Sequence, residues 1–134
     1  MENSNILDLY AGTGSFGLEC LSRYAKSVYF IEKDKDVTKI LEKNINKLKL
    51  KKQTNILTDD IFIFLKKNLY KKKFDLVFCD PPFKDMNAEK LIDLVLNKNL
   101  LHKNGIIILH KNKAAKEKFP NYFKIVDERL YGIS

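Results

Sequence analysis

Short apolar runs alternate along this chain with stretches whose apolar residues recur at three- and four-residue spacing, the mark of strands alternating with amphipathic helices. The first run, Ile6 to Tyr10, reads as a buried strand ending at a glycine loop, and a helix is expected from about Phe16 to Ala25. Val28 to Ile31 reads as a second strand. Asp34 or Asp36 can cap a long helix that carries Val37, Ile40, Leu41, Ile45 and Leu48 at helical spacing. Gln53 to Leu57 gives a weaker third strand, Ile61 to Leu69 a short helix, and Phe74 to Cys79 a fourth strand. That strand stops at Pro81-Pro82, which lack the amide donors a strand needs. A fourth helix is expected over Asn87 to Leu96, after which Gly105 turns the chain into a very apolar fifth strand, Ile106 to Leu109. A short helix over Ala114 to Lys118 and a loosely alternating sixth strand, Phe123 to Leu130, complete the pattern.

Strands and helices in this alternation predict an α/β fold of βαβ units, a mostly parallel sheet with helices on both faces. Its apolar strands should be covered on both sides. Ligands of such sheets bind outside the carboxyl ends of the strands, near the point where strand order reverses. The 134 residues make a single domain, residues 1–134, and 45% hydrophobic content is enough for a core. No apolar run approaches the ~18 residues that span a bilayer, so no membrane association is expected. The start, Met1 to Ser4, has neither the basic nor the apolar region of a secretory signal. Cys20 and Cys79 make neither a disulfide framework nor a metal-ligand spacing. A cytoplasmic setting follows, with no metal.

Charge adds a partner class but not a partner. Between Lys33 and Lys73 stand 13 lysines against 5 acids, a surplus equal to the whole net charge of +8. Such a balance favours polyanions, nucleic acid above all. Lysine-, asparagine- and isoleucine-rich composition is also what an AT-rich genome encodes, so charge alone does not establish RNA binding.

Four polar features follow the first four strands. Gly12-Thr13-Gly14-Ser15-Phe16-Gly17 matches G-x-G-x-x-G between a strand and a helix, where glycine allows a tight turn and close ligand approach. Glu32 ends the second strand, where a carboxylate can accept both hydroxyls of a ribose; Asp34 is the alternative. Asp59-Asp60 follows the third strand: one acid can take the exocyclic amine of adenine, for which Asp60 is favoured, and one can cap the next helix. Asp80-Pro81-Pro82-Phe83 follows the fourth. Asp80 and the Pro81 carbonyl can hold a planar amino group by its two hydrogens, and Phe83 offers a ring for a flat base.

The ordered set Asp8-Leu9-Tyr10-Ala11-Gly12-Thr13-Gly14-Ser15-Phe16-Gly17, Glu32, Asp60 and Asp80-Pro81-Pro82-Phe83 resembles the class I S-adenosylmethionine-dependent methyltransferases. More narrowly, with Leu18-Glu19, Phe64-Leu65 and Tyr131-Gly132, it resembles the RsmD family, which methylates N2 of a guanine in 16S ribosomal RNA. The resemblance implies a Rossmann-like methyltransferase fold and S-adenosylmethionine as cofactor. It implies that the glycine loop (Gly12, Gly14, Gly17) with Asp8 holds the methionine moiety, Glu32 the ribose and Asp60 the adenine, with Tyr10 and Asp59 also at the cofactor. Asp80, Pro81, Pro82 and Phe83 would receive the target guanine. The implied partner is 16S ribosomal RNA or the assembling small subunit, met by a monomer.

Family members carry a basic N-terminal segment and a helix before the first strand, and a last strand that completes the sheet. Both are expected to be lacking here, and His110 stands where the family often has an acid. Three other readings remain. An NAD-dependent oxidoreductase domain suits the glycine loop and Glu32 but has no place for Asp80-Pro81-Pro82-Phe83. Methyltransferases of adenine N6 or glutamine N5 use related loops. A non-enzymatic RNA- or protein-binding module would show binding without methyl transfer.

Overall fold

The structure is a computed structural model that describes residues 2–67, 72–80 and 88–109. The expected helix at Ala114 to Lys118, the strand at Phe123 to Leu130, Tyr131-Gly132 and His110 lie outside the described residues, as do Pro81, Pro82 and Phe83. The elements are β1 (Asn5–Leu9), α1 (Ser15–Ser22), β2 (Ser27–Ile31), α2 (Lys35–Lys47), β3 (Thr54–Leu57), α3 (Ile61–Lys67), β4 (Phe74–Cys79), α4 (Ala88–Asn97) and β5 (Leu101–Leu109). A turn of 3-10 helix, Lys51–Gln53, leads into β3.

The five strands form one sheet in the order β3-β2-β1-β4-β5, and every neighbouring pair is parallel. This is the Rossmann-like, doubly wound arrangement: the chain works outward through β2 and β3 on one side of β1, then crosses to β4 and β5 on the other. The reversal falls between β1 and β4.

Alternation along the strands sends side chains to two cores. Ile6, Val28, Phe30 and Leu76 pack with Cys20 and Leu21 of α1 and Leu41 and Ile45 of α2. Leu7, Leu9, Ile31 and Val77 pack with Ile61 and Leu65 of α3 and Leu91 and Val95 of α4. Helices therefore cover both faces, α1 with α2 on one and α3 with α4 on the other. Asp34, not Asp36, caps α2: its carboxylate accepts from the amides of Asp36 at 2.9 Å and Val37 at 3.3 Å.

Three expectations need correction. The apolar face of α2 is centred on Thr38, Leu41 and Ile45, while Ile40 and Leu48 are 47% and 55% exposed. The helix docks on β2 through a narrower stripe than its apolar residues span. The fifth strand begins at Leu101 rather than Ile106, and Gly105 lies inside it. Leu101 pairs with Phe74 and Ile106 with Leu76, so four residues on β5 answer one on β4 and the strand bows out there. Among the described residues β5 is covered on one face only: Ile106 and Ile108, which alternate on the other side, are 56% and 40% exposed.

Candidate active site

The chain leaves β1 at Tyr10, which adopts φ 58°, and turns through Gly12 at φ 59° and Gly14 at φ 91° into α1. Tyr10 is a tyrosine in the left-handed region, a local strain of the kind that gathers at functional sites. A Cβ placed on Gly12 would meet nothing within 4 Å, so the turn faces open space. Gly17 is different. A Cβ there would collide with the ring of fully buried Phe30 and stand 2.9 Å from Val28 Cγ1. Gly17 thus lets α1 lie close on β2, and its surroundings are packing rather than open surface.

Two carboxylates brace this loop. Asp8, 1% exposed, accepts from the Gly17 amide at 3.2 Å through Oδ2. No side chain caps α1 at Gly14, so Asp8 satisfies one of the first-turn amides from beneath. Glu32 accepts from the Gly12 amide at 3.0 Å through Oε1 and from the Asp34 amide at 2.9 Å through Oε2. From the other side, Asn44 of α2 donates its Nδ2 to the Thr13 carbonyl at 3.0 Å.

Burial pushes the Asp8 carboxyl up to about 8; the Gly17 amide pulls it down, and the Asp80 and Glu32 charges raise it further. A buried acid with two acidic neighbours holds its proton. Burial also pushes the Cys79 thiol well above its ordinary value and Cys20 to about 11, so both are packed thiols and not nucleophiles. Among the described residues no cluster of His, Cys, Asp and Glu could hold a metal ion.

Beyond β3, Asp60 caps α3. Its Oδ1 accepts from the amides of Phe62 at 2.9 Å and Ile63 at 3.1 Å. Asp59 accepts from the Asp60 amide and lies 3.8 Å from Lys67 Nζ. The expected division of labour therefore changes: the capping acid is Asp60, and any ligand role it has falls to Oδ2. After β4, the Asp80 amide reaches back toward the Leu9 carbonyl at 3.5 Å, which holds Asp80 beside the end of β1.

Read across the sheet, Asp60, Glu32 and Asp80 follow β3, β2 and β4, and Asp8 is the penultimate residue of β1 between them, so the four acids stand at the carboxyl ends of adjacent strands in the order β3, β2, β1, β4. Strands lie about 4.8 Å apart, so the row spans about 14 Å, room for an extended nucleoside with an amino-acid tail. The structure brings all four together and places the open Gly12 turn among them. Below the row, Phe16 of α1 stacks on Phe78 of β4, with centroids 3.8 Å apart and planes 7° from parallel. That stack, like the Asn44 bond, gave no signal in the sequence, because each joins residues remote in the chain.

The family model described as conserved hypothetical protein 95 matches residues 1–134. The ribosomal RNA small subunit methyltransferase D of Haemophilus influenzae is 37% identical over 134 residues, 99% of this chain and 69% of that protein. Its counterpart of the same name from Buchnera aphidicola of Acyrthosiphon pisum is 32% identical over 130 residues, covering 97% and 67%. Among solved structures, a Haemophilus influenzae protein described as a candidate methylase superposes with a TM-score of 0.87 at 38% identity, over 98% of this chain and 83% of that one.

Proposed function

The chain belongs to the conserved hypothetical protein 95 family, the family of the small-subunit ribosomal RNA methyltransferases D, and from that premise we propose that it transfers a methyl group from S-adenosylmethionine to the exocyclic N2 of a guanine in 16S ribosomal RNA. The observation that carries the reading is the row of acids on adjacent strand ends with an open glycine turn in its midst.

The residues present suit the cofactor. Each Glu32 oxygen accepts one amide and keeps lone-pair capacity for a ribose hydroxyl. Among the described residues no hydrogen bond reaches Asp60 Oδ2, which leaves it for an adenine amine. The uncapped start of α1 favours a carboxylate, and Asp8 underlies the loop that would hold the methionine moiety. Bound S-adenosylmethionine supplies a methyl group made electrophilic by its sulfonium.

The rest is positioning. The guanine N2 lone pair is delocalised into the ring and is a poor nucleophile. A hydrogen bond from N2 to the Asp80 carboxylate draws the nitrogen toward tetrahedral geometry and aims its lone pair. In-line attack needs the reacting atoms at ~3–3.5 Å, which a fixed acceptor helps to hold. Asp80 also stabilises the positive charge that grows on N2. The N2 proton becomes acidic only after transfer, so the weakly basic Asp80 carboxylate suffices to take it and pass it to solvent, and a strong base is not needed. The family resemblance assigns the second acceptor to the Pro81 carbonyl and a stacking surface to Phe83, both outside the described residues. The target base leaves its stack to enter.

Calorimetric titration with S-adenosylmethionine, with NAD as control, tests the cofactor. Methyl transfer to unmodified small ribosomal subunits, with the modified atom mapped, tests the substrate. Asp80→Ala is expected to lower transfer by ~10²-fold or more while cofactor affinity changes little. Equal loss of both, or NAD binding alone, would overturn the reading; a methyl group on adenine N6 or on a glutamine would replace guanine as the substrate.

A further inference from the structure

Lys35, Lys39, Lys43 and Lys47 recur every fourth residue along α2, and Lys51 and Lys52 follow in the 3-10 turn. All six are exposed. Successive members on the helix rise about 6 Å, so the stripe from Lys35 to Lys47 runs about 18 Å. Among the described residues the ion pairs are Arg23 with Glu19 and Lys67 with Asp59, so none of the six is held in an ion pair. Two acids share the helix. Asp36 sits in its first turn, and Glu42 lies on the flank, where it lines a depression of about 270 Å³ with Lys51, Ile45 and Thr54 and so faces the end of the stripe and not its helical run.

Like charges four residues apart oppose helix formation by ~0.2–0.5 kcal/mol per pair. Helix α1 shows the opposite choice, with Glu19 and Arg23 paired at that spacing. The cost along α2 finds no return inside the fold, because its apolar face is already spent on Phe30 and Val28 of the sheet. That commitment also removes the face a membrane-bound helix would insert. A rigid line of unpaired cations about 18 Å long matches a linear polyanion whose charges are regularly spaced. The stripe begins beside the row of acids, since the Asp34 amide that precedes it is bonded to Glu32.

We propose that the outer face of α2, continued by Lys51 and Lys52, grips the phosphate backbone of RNA next to the target nucleotide. This rests on the RNA-methylating reading above. The contact is non-specific in sequence: it holds the substrate and leaves the choice of base to the Asp80 end of the row.

The test is filter binding of an unmodified 16S ribosomal RNA transcript across about 50–300 mM KCl, with the full chain and with the variant Lys39→Gln/Lys43→Gln/Lys47→Gln. Each lysine on a phosphate contributes ~0.7–0.9 to the slope of log affinity against log salt, so the variant should lose about 2–3. Lys39→Arg/Lys43→Arg/Lys47→Arg should keep the slope, and S-adenosylmethionine affinity should be unchanged in both. A glutamine variant with the parent's slope, while the parent binds and methylates RNA, overturns the grip and leaves the methyl-transfer reading standing. Loss of binding to polyglutamate or to phosphatidylserine vesicles, with RNA binding intact, also overturns it. A parent chain that binds RNA with this slope but never methylates supports the grip and counts against the enzyme.

Discussion

Gly17→Ala separates the two jobs that glycine does in the loop. The new methyl would run into the ring of Phe30, 2.7 Å from Cζ, and stand 2.9 Å from Val28 Cγ1. Both neighbours are fully buried and cannot swing into solvent. Overpacking of a closed site costs ~1–3 kcal/mol, and two rigid partners put this case at the upper end. Against it stands the better helix propensity of alanine, ~0.8–1.0 kcal/mol in a helix interior. The net expectation is a loss of about 2 kcal/mol. With a urea dependence of ~1–3 kcal/mol/M, the unfolding midpoint should fall by about 1 M at unchanged slope. Gly12→Ala is the control: its Cβ meets nothing, and the left-handed φ of 59° costs about 1 kcal/mol. That variant should lose half as much stability yet more cofactor affinity, because its methyl projects into the open turn. Urea melts and calorimetry on both decide the matter. A Gly17→Ala chain as stable as the parent would refute the packing argument, since helix propensity would then have outweighed the contact with Phe30.

Three further outcomes follow from the acids. The Asp8 carboxyl is raised from 3.8 to about 8, so the folded state holds its proton more tightly than the unfolded chain, and this contribution fades as pH rises through that interval; Asp8→Asn should flatten the fall in urea midpoint between those values, and parallel pH profiles would count against it. Glu32→Ala removes the acceptor of the Gly12 and Asp34 amides and should cost ~1.5–3 kcal/mol together with cofactor affinity, whereas loss of affinity at full stability would mean the brace is idle. Asp60→Asn keeps an oxygen for the α3 cap and should weaken cofactor binding without the ~1 kcal/mol loss expected of Asp60→Ala, as thermal melts and titrations of the pair would show.

How far these elements could be read from the sequence depended on whether local pattern or distant packing decided them. The bounds of β4, Phe74 to Cys79, were legible because a dense apolar run ends at two prolines. The burial of α2 was not, because the choice of Thr38 over Ile40 depends on where the helix meets Leu41's neighbours on the sheet. The early start of β5 was hidden for a similar reason: Leu101 becomes strand only by pairing with Phe74. Glu32, Asp60 and Asp80 were visible as polar residues after strands, whereas Asp8, inside the buried first strand, was marked only by the family resemblance. Their order along one edge, and the fact that Glu32 holds the Gly12 amide, required the crossover that places β1 between β2 and β4.

The central position of β1 also sets a timetable for the nascent chain. Its first neighbour, β2, emerges soon after it, but the other edge is closed by β4, and the Asn5 amide waits for the Asp75 carboxylate 70 residues downstream. At ~5–20 residues per second of translation that interval lasts about 4–14 s. Throughout it the strand carrying Ile6, Leu7 and Leu9 has one unpaired side, an apolar edge open to pairing with other chains. The docking of β4 ends that exposure and, in the same event, delivers Asp80 to Asp8, so about three fifths of these residues must have emerged before the site can exist.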